Sequence, residues 1–319
     1  MNALRTYDHA DFEIERLVAD KASTTVTVCV PTRETAKTIE GTVTSLLALS
    51  ELGLVDQVVV VDASSEDGTA DLAAAAGAEV YEERTLMPEF GSVMGKGDAM
   101  WRSLSVCRGD LISFVDGDVS DFAGHYASGL LGPLLVEPAV EFVRGRFERP
   151  FAVREGELPG EGGRVTELLC KPLFALLSPE LLAFSQPLAG EIAARRELLH
   201  RISFATGYAV EAAMQIDVWR EVGMEGMAEV DLASKRNDHQ SLKALSNMSI
   251  EVAEGISRRL RSSPPSMYRL PTSPRSKASR WPSATSSTWT RFRPVSTKAG
   301  MRPKNASRMT RPVGVGFTS

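Results

Sequence analysis

An apolar stretch in the first half of the chain ends abruptly in two carboxylates, and this feature constrains the fold most. The stretch runs from Leu111 to Val115 and is followed by Asp116-Gly117-Asp118. A run of this kind suits a buried strand, and ligands of open α/β sheets lie beyond the carboxyl ends of strands. The two carboxylates fall on one side of an extended chain, where hard oxygen donors suit Mg²⁺ or Mn²⁺ carrying phosphates. A solvent-exposed acidic turn has the same sequence, so other motifs of the chain are needed to distinguish a metal site from such a turn.

The neighbouring segments alternate between strand and helix patterns. Strand patterns occupy Thr25–Val30, Gln57–Val61 and Ala78–Tyr81, and helical patterns occupy 35–49, a stretch opening at Thr69, and 97–107. This order implies a parallel sheet with right-handed crossovers. Further helices are predicted at 122–136, 165–177 and 206–222, and further strands at Val140–Val143 and Glu229–Leu232. The predicted fold class is α/β, with a Rossmann-like, mostly parallel sheet flanked by helices.

Composition and cysteine usage predict a cytoplasmic protein that does not enter a membrane. No apolar run approaches the roughly 20 residues that a membrane span needs, and Met1 to Lys21 lacks the apolar core of a signal peptide. The cysteines Cys29, Cys107 and Cys170 are widely separated and lie mostly among apolar residues. We therefore interpret them as reduced core residues, because they lack the spacing of a metal or redox motif.

Charge is divided sharply along the chain. After Glu254 there is no Asp or Glu, but there are 14 lysines and arginines among many Ser, Thr and Pro residues. From about Ser262 we expect a basic tail that is disordered or packed only through its few aromatic residues. Such a tail could bind nucleic acid through phosphate contacts, which makes a nucleic-acid-associated protein the alternative from another functional class. The composition favours a non-specific tail, so nucleic acid is an unlikely partner.

Two glycine-containing segments precede helices and carry basic residues. Gly95-Lys96-Gly97 opens one helix, and Gly162-Gly163-Arg164-Val165-Thr166 opens another. Backbone N–H groups at a helix start can face an anion, Lys96 can meet a diphosphate, and Arg164 with Thr166 can hold a second phosphate or carboxylate. An ordinary loop lysine and a surface arginine are the structural alternatives.

Carboxylates and one histidine complete the candidate residues. Glu191 and Glu211 lie within largely apolar stretches, where a buried carboxylate needs a partner such as a sugar hydroxyl or a structural arginine like Arg195. His239 lies in Lys235-Arg236-Asn237-Asp238-His239-Gln240, after the last predicted strand. An imidazole there could complete a metal site begun by Asp118, although a lone histidine is more often polar surface.

Taken together, these motifs resemble a known enzyme family. From about Thr24 to about Ser249 the chain resembles the GT-A-fold retaining glycosyltransferases that make glucosyl- or mannosyl-3-phosphoglycerate, precursors of the compatible solutes glucosylglycerate and mannosylglycerate. The matching segments are Val30-Pro31, Val61-Asp62-Ala63-Ser64-Ser65-Glu66-Asp67-Gly68-Thr69, Gly95-Lys96-Gly97-Asp98-Ala99-Met100-Trp101-Arg102-Ser103-Leu104, Asp116-Gly117-Asp118, Gly162-Gly163-Arg164-Val165-Thr166-Glu167-Leu168, Gln186-Pro187-Leu188-Ala189-Gly190-Glu191 and Gly207-Tyr208-Ala209-Val210-Glu211. Asp-x-Asp is shared by many glycosyltransferases, whereas the Lys96 helix and the Gly-Gly-Arg-Val-Thr block are much more specific.

The resemblance implies a role for each matching residue. It implies donor binding by Pro31, Thr32, Arg33, Ala63, Lys96, Asp116, Gly117 and Glu211, of which Lys96, Asp116 and Glu211 are also the catalytic candidates. It implies acceptor binding by Gly163, Arg164 and Thr166. The resemblance implies Asp118 as a ligand of Mg²⁺ or Mn²⁺, with a histidine after the last strand as a further ligand, for which our candidate is His239. Glu191 is a weaker donor-site candidate.

The sequence departs from the family pattern at two places. A gapless match puts Asn237 where the family has its metal-binding histidine, and we favour His239, two residues further on. Where the glucosyl enzymes carry a carboxylate, this chain has Thr35, and Arg33 offers a fork of donors suited to the O6 and N7 acceptors of guanine. This favours GDP-mannose as the donor.

The predicted function is therefore transfer of mannose from GDP-mannose to 3-phosphoglycerate with retained configuration. The alternative within the family is a glucosyl-3-phosphoglycerate synthase using UDP- or GDP-glucose. A nucleotidyltransferase is disfavoured because the segment after the first strand has no glycine. We divide the chain into an N-terminal extension (1–23), a nucleotide-sugar-binding half (24–121), an acceptor-binding half of the same domain (122–257) and the basic tail (258–319). The resemblance also suggests a homodimer.

Overall fold

The computed structural model describes residues 3–148, 151–153, 156–158, 163–236 and 241–260. The strands are β1 (Arg5–Asp8), β2 (Val26–Thr32), β3 (Gln57–Asp62), β4 (Glu79–Glu82), β5 (Leu111–Phe114), β6 (Phe142–Glu148), β7 (Phe151–Val153), β8 (Gly156–Leu158), β9 (Ile192–Arg195) and β10 (Met227–Ser234). The helices are α1 (Ile14–Lys21), α2 (Ile39–Glu51), α3 (Thr69–Ala76), α4 (Lys96–Ser103), α5 (His125–Val136), α6 (Lys171–Leu177), α7 (Arg196–Arg201), α8 (Val210–Val222) and α9 (Leu242–Leu260).

The central sheet has the strand order β1-β10-β6-β9-β5-β2-β3-β4. Within the described chain its neighbouring strands are parallel, except that β9 runs antiparallel to both β5 and β6. The carboxyl ends of the parallel strands therefore meet at one edge, and β9 begins at that same edge. Strands β7 and β8 form a separate antiparallel pair.

Helices cover both faces of this sheet because its strands are apolar on both sides. In β2, Val28 and Val30 pack into the core under α2 and α5, while Cys29 faces the opposite core with α4 and α8. Alternation of side chains along a strand sends neighbours to opposite faces. Burial on both faces is typical of a mostly parallel sheet, and the predicted fold class is confirmed.

Several elements were not predicted. Strand β1 pairs with β10 and α1 packs against α5, so the predicted N-terminal extension contributes to the main body. Strand β9 is only four residues long and contains two alanines, a composition with low strand propensity. Helix α9 ends at Leu260, which places the boundary predicted at residue 258 in its last turn. The tail beyond residue 260 lies outside the described residues, and none of the described helices has the length and apolar character needed to cross a bilayer.

Candidate active site

Five charged side chains meet at the edge of the sheet where β5 and β10 end and β9 begins. We call them the charged cluster: Lys96, Asp116, Glu191, Glu211 and Lys235. They come from the start of α4, the ends of β5 and β10, the residue before β9 and the first turn of α8. Far-apart segments of the chain thus deliver two ammonium groups and three carboxylates to one place, which was predicted for Asp116 from its position after a buried strand.

Lys96 joins two of the carboxylates. Its Nζ donates to Asp116 Oδ1 at 2.7 Å and lies 3.0 Å from Glu211 Oε1. Burial disfavours the charged ammonium, but the charges of Asp116 and Glu211 outweigh this and raise the pKa of Lys96 well above its usual value. Lys96 is therefore a fixed positive charge at any physiological pH.

Lys235 closes the cluster from the other side and was not predicted as a site residue. Its Nζ donates to Asp116 Oδ2 at 2.7 Å and to Glu191, and its side chain is almost fully buried. Burial acts to raise the pKa of Asp116, but the charges of Lys235 and Lys96 hold it well below its usual value. The only signal for Lys235 in the sequence is its place directly after the last strand, at the head of a basic segment.

Gly190 makes room for these contacts. A Cβ atom at this position would lie 2.6 Å from both Asp116 Oδ1 and Lys96 Nζ. Such distances are far inside van der Waals contact, so any other residue would push the Lys96–Asp116 pair apart. The glycine was noted only as the neighbour of Glu191, and its steric role becomes visible only in three dimensions.

Arg144 in β6 holds the two segments that carry the acidic groups. Its buried guanidinium donates to the carbonyl oxygens of Pro187 and, at 2.9 Å, Glu211. Desolvation lowers the pKa of Arg144 to about 10, partly offset by the charge of Glu211. A basic residue in an apolar strand could have marked this position in the sequence.

The loop before Lys96 is fixed by its own buried ion pair. Asp98 accepts from Met94 N at 2.8 Å and from Arg102 Nε at 3.0 Å, and Arg102 also donates to the carbonyls of Leu86, Met87 and Gly91. At Gly97 a Cβ atom would lie 1.8 Å from the carbonyl oxygen of Ala205. The second glycine of Gly95-Lys96-Gly97 thus allows α4 to pack tightly beside the segment that leads into α8.

The residues expected around the nucleoside lie together after β2 and β3. Thr32 accepts at its carbonyl from Ala63 N at 2.9 Å, and its hydroxyl pairs with that of Thr35. Pro31 and Arg33 flank Thr32 in the same segment. Gly117 connects this segment to the charged cluster, because its carbonyl accepts from Thr38 Oγ1 at 2.6 Å. Thr35, which replaces the carboxylate of the family pattern, is therefore buried in a hydroxyl pair.

Asp118 stands beside the charged cluster and faces solvent. Although much of the residue is exposed, the surrounding protein desolvates its carboxyl group, and this effect together with the charge of Asp116 raises the pKa of Asp118. A carboxylate in that electrostatic situation fits a divalent cation, which would offset the repulsion. No group of three or more His, Cys, Asp or Glu side chains placed to hold a metal occurs within the described ranges. Asn237 and His239 lie outside those residues, so the prediction for the second metal ligand stays a prediction.

A concave space opens next to Lys235, and we call it the side pocket. Its volume is about 280 Å³ and its lining residues are Arg146, Phe147, Glu148, Gly163, Thr166, Glu167, Lys171, Ser185, Gln186 and Asp231. Phe147 links the pocket to the charged cluster, because Lys235 Nζ lies 5.4 Å from its ring centre. Of the predicted acceptor residues described by the structure, Gly163 and Thr166 line the pocket and Arg164 does not.

Comparison with known proteins places this site in a family. A sequence profile described as Glycosyl transferase family 2 matches residues 27–142. Glucosyl-3-phosphoglycerate synthase of Petrotoga mobilis is 38% identical over 263 residues, which is 80% of each chain. The chain belongs to the family of these synthases and is a glycosyltransferase. The predicted family and enzyme class are therefore confirmed.

Two solved structures of the family share the fold of this glycosyltransferase. Mannosyl-3-phosphoglycerate synthase from Rubrobacter xylanophilus has 49% identity and a TM-score of 0.75, covering 81% of this chain and 82% of that one. Glucosyl-3-phosphoglycerate synthase from Mycobacterium tuberculosis, in complex with Mn²⁺, UDP-glucose and phosphoglyceric acid, has 37% identity and a TM-score of 0.74, covering 81% and 88%. The predicted GT-A fold is thus confirmed at the level of the whole domain.

Proposed function

We propose that this glycosyltransferase moves mannose from GDP-mannose to 3-phosphoglycerate, with a divalent cation and with retained configuration. The observation that carries the proposal is the charged cluster next to the side pocket, the two being linked by the contact of Lys235 Nζ with the Phe147 ring at 5.4 Å. This arrangement supports a fixed positive charge for a leaving diphosphate beside a polar recess of a size suited to a small acceptor.

Lys96, with a quarter of its side chain exposed, is the proposed contact of the departing diphosphate, and the buried Lys235 adds its positive charge from behind Asp116. Their positive charges are preformed, so no reorganisation is required when negative charge grows on the leaving group. Asp116 holds both ammonium groups by 2.7 Å contacts and orients them. Glu211, 3.0 Å from Lys96 Nζ, is the proposed acceptor of donor hydroxyls. Pro31, Thr32, Arg33 and Ala63 border the nucleoside, and Gly117 lies between the two regions.

The charge balance supports a divalent cation. The charged cluster carries three carboxylates and two ammonium groups, and Asp118 adds another carboxylate beside it. A diphosphate entering this site meets net negative charge unless a cation neutralises it. Asp118 would hold that cation, with His239 or Asn237 as the proposed second ligand. When bound, it supplies Lewis-acid stabilisation of the leaving diphosphate. Relatives with bound Mn²⁺ or Mg²⁺ support the assignment.

The side pocket is the proposed acceptor site. 3-Phosphoglycerate carries a phosphate and a carboxylate, and the pocket offers Arg146, Lys171 and the hydroxyl of Thr166. Asp231 and Glu167, the present partners of the two cations, would be displaced by these anionic groups. Gly163, in the left-handed region with a φ of 75°, shapes the start of the helix that bears Arg164 and Thr166. Arg164 is proposed to reach the phosphate from the rim. The phosphoglyceric acid bound by the Mycobacterium tuberculosis relative supports this acceptor class.

The proposed reaction needs no carboxylate nucleophile. The acceptor hydroxyl attacks the anomeric carbon from the face that the diphosphate leaves. The carbon–oxygen bond to the diphosphate breaks, the new glycosidic bond forms, and the hydroxyl proton passes to a phosphate oxygen of the leaving group. The ammonium groups of the charged cluster would stabilise the growing negative charge together with the bound cation, and the transition state resembles an oxocarbenium ion. Trapping a covalent glycosyl-enzyme would contradict this mechanism.

A glucosyl-3-phosphoglycerate synthase is the second candidate. The relatives from Petrotoga mobilis and the mycobacteria favour it, because all carry that name. Mannose is favoured by the 49% identity to the Rubrobacter xylanophilus enzyme and by Arg33, which suits guanine.

Parallel assays separate these candidates. Purified protein with Mg²⁺ and 3-phosphoglycerate is given GDP-mannose, GDP-glucose or UDP-glucose, and nucleotide release is followed with mass and anomeric NMR of the product. We expect GDP release and an α-mannosyl product. Turnover with UDP-glucose alone would reject the mannose and guanine assignments, and no turnover with any donor would reject hexosyl transfer to this acceptor.

We also propose that the protein is a homodimer. Four leucines between residues 168 and 182 are exposed: Leu168, Leu176, Leu177 and Leu182. A cluster of apolar residues on the surface is typical of a protein interface. Light scattering on the eluting protein should give twice the chain mass, and Leu176→Asp should lower it. A monomer mass at micromolar concentration would contradict the proposal.

A further inference from the structure

Three adjacent parallel strands end in register at the nucleoside side of the sheet. Thr32 of β2 pairs with Asp62 of β3, which pairs with Glu82 of β4. The next residues along the chain are therefore Arg33, Ala63 and Glu83, side by side. Neighbouring strands are about 4.8 Å apart, so the ends of β2 and β4 are about 10 Å apart, with Ala63 between them. We call the space over Ala63, between Arg33 and Glu83, the slot.

The slot has a charge of opposite sign on each side and a small residue in the middle. In the described part of the chain, neither Arg33 nor Glu83 makes an ion pair or a side-chain hydrogen bond. The acidic residue between them, Asp62, is already committed, because it accepts from Ser65 N at 2.8 Å and Ser65 Oγ at 2.6 Å. Glu82, at the end of β4, is paired with Arg84 at 2.7 Å. Of the three carboxylates at these strand ends, Glu83 is therefore the one proposed to meet a ligand.

The surroundings of Glu83 disfavour its ionised form. Burial, followed by the charges of Asp98 and Asp62, raises the pKa of Glu83 to about 7, and Arg102 and Arg33 oppose the shift. Asp98 and Arg102 neutralise each other in a buried pair at 3.0 Å. A ligand that donates hydrogen bonds to Glu83 would therefore stabilise its ionised form.

Guanine and uracil differ in what they offer a carboxylate. Guanine presents two adjacent donors, N1–H and the N2 amino group, next to its O6 and N7 acceptors. Uracil presents a single N–H flanked by two carbonyl oxygens, which a carboxylate repels. A site that hydrogen-bonds a ligand donor discriminates strongly against a ligand lacking it. Arg33 on one side of the slot can donate to the acceptors of guanine, and Glu83 on the other side can accept from its two donors.

We infer that Glu83 is a specificity-determining residue that accepts from N1–H and the N2 amino group of a guanine base, while Arg33 donates to O6 and N7. The inference rests on the proposed use of a GDP-sugar and adds the residue that distinguishes it from a UDP-sugar. Ala63 leaves the space between them for the ring.

Calorimetry with Mg²⁺ and three nucleotides tests the inference at pH 8. IDP has guanine's ring but lacks the N2 amino group. We expect wild-type protein to bind GDP about 10-fold more tightly than IDP, and UDP more weakly than GDP. Glu83→Gln should reduce GDP affinity about 10-fold or more, to the IDP level, and should leave UDP affinity within about twofold. The matched control is Glu82→Gln, whose carboxylate pairs with Arg84 at 2.7 Å and should not affect GDP.

A pH series gives a second readout that needs no variant. Because guanine donors require the ionised carboxylate, GDP affinity should fall as pH decreases through about 7, while UDP affinity changes less. In Glu83→Gln the difference between GDP and UDP should no longer depend on pH.

The outcomes separate this inference from the proposed function. Equal binding of GDP and IDP, or equal losses of GDP and UDP binding in Glu83→Gln, would overturn the role of Glu83, even if GDP-mannose is the donor in turnover. Tighter binding of UDP than GDP, with turnover from UDP-glucose, would overturn the guanine assignment and leave hexosyl transfer standing. Failure of transfer to 3-phosphoglycerate, with intact GDP discrimination, would overturn the acceptor assignment alone.

Discussion

In the charged cluster, Lys96 and Lys235 are already bonded to carboxylates and have 25% and 1% of their side chains exposed. In the side pocket, the side chains of Arg146 and Lys171 are 41% and 31% exposed, and among the described residues their acidic partners are Asp231 and Glu167, which also line the pocket. Each lysine of the charged cluster is thus held by two carboxylates, whereas each cation of the side pocket is more exposed and has one acidic partner among the described residues. Preformed charge is what stabilises a transition state, whereas adaptable charge mainly contributes to binding.

This comparison predicts two kinds of kinetic defect. Changes in the charged cluster should lower kcat, because its groups act as negative charge grows on the leaving diphosphate. Changes in the side pocket should raise the acceptor KM and affect kcat much less, because they weaken ground-state and transition-state binding alike.

The largest effect is expected for Asp116→Asn. The substitution keeps the shape but removes the carboxylate that accepts from both Lys96 and Lys235 at 2.7 Å. We expect kcat to fall about 1,000-fold, at the upper end of losses seen when one electrostatic contact is removed. Steady-state nucleotide release measures this, and Asp71→Asn, on the exposed side of α3, is the control. A loss confined to KM would contradict the role of Asp116.

Gly190→Ala tests whether the cluster works through its geometry. The added methyl group would lie 2.6 Å from Asp116 Oδ1 and Lys96 Nζ, so this pair must move. Displacements of about 1 Å can cost about 100-fold in rate, and we expect a kcat decrease of that order. Gly41→Ala is the matched control, because its methyl group would meet open space on α2. If Gly190→Ala were as active as Gly41→Ala, a rigid cluster could not be the basis of catalysis.

Lys235→Met tests the residue that sequence reasoning did not find. It keeps the length of the side chain but leaves Asp116 with one ammonium partner and Glu191 without its lysine contact. We expect kcat to fall between about 10- and 100-fold, with acceptor KM within about threefold. Lys21→Met is the control for the loss of an internal ion pair, because Lys21 is a buried lysine that pairs with Asp56. Equal activity losses in both variants would indicate a structural role only.

The sequence predicted the charged cluster only in part, and the reason is physical. Local sequence patterns of a few residues indicate Asp116 and Lys96. Asp116 comes after an apolar strand, and Lys96 lies at a helix start flanked by glycines. Lys235 and Arg144 act through contacts with residues 119 and 67 positions away, and no local pattern encodes such contacts. Strand β9 was missed for a related reason, since its place between β5 and β6 is fixed by tertiary packing and not by strand propensity.

The smallest effect is expected in the side pocket, where Thr166→Val removes one hydroxyl and keeps the side-chain volume. Thr166 lines the pocket beside Gly163, so we expect the KM for 3-phosphoglycerate to rise about 10-fold, the usual effect of one lost hydrogen bond to a charged ligand, with kcat within about twofold. Thr44→Val, on the exposed face of α2, is the control. A fall in kcat with an unchanged acceptor KM would mean that the pocket is preformed for catalysis like the charged cluster. The contrast between the two regions would then lie in solvent exposure alone and not in function.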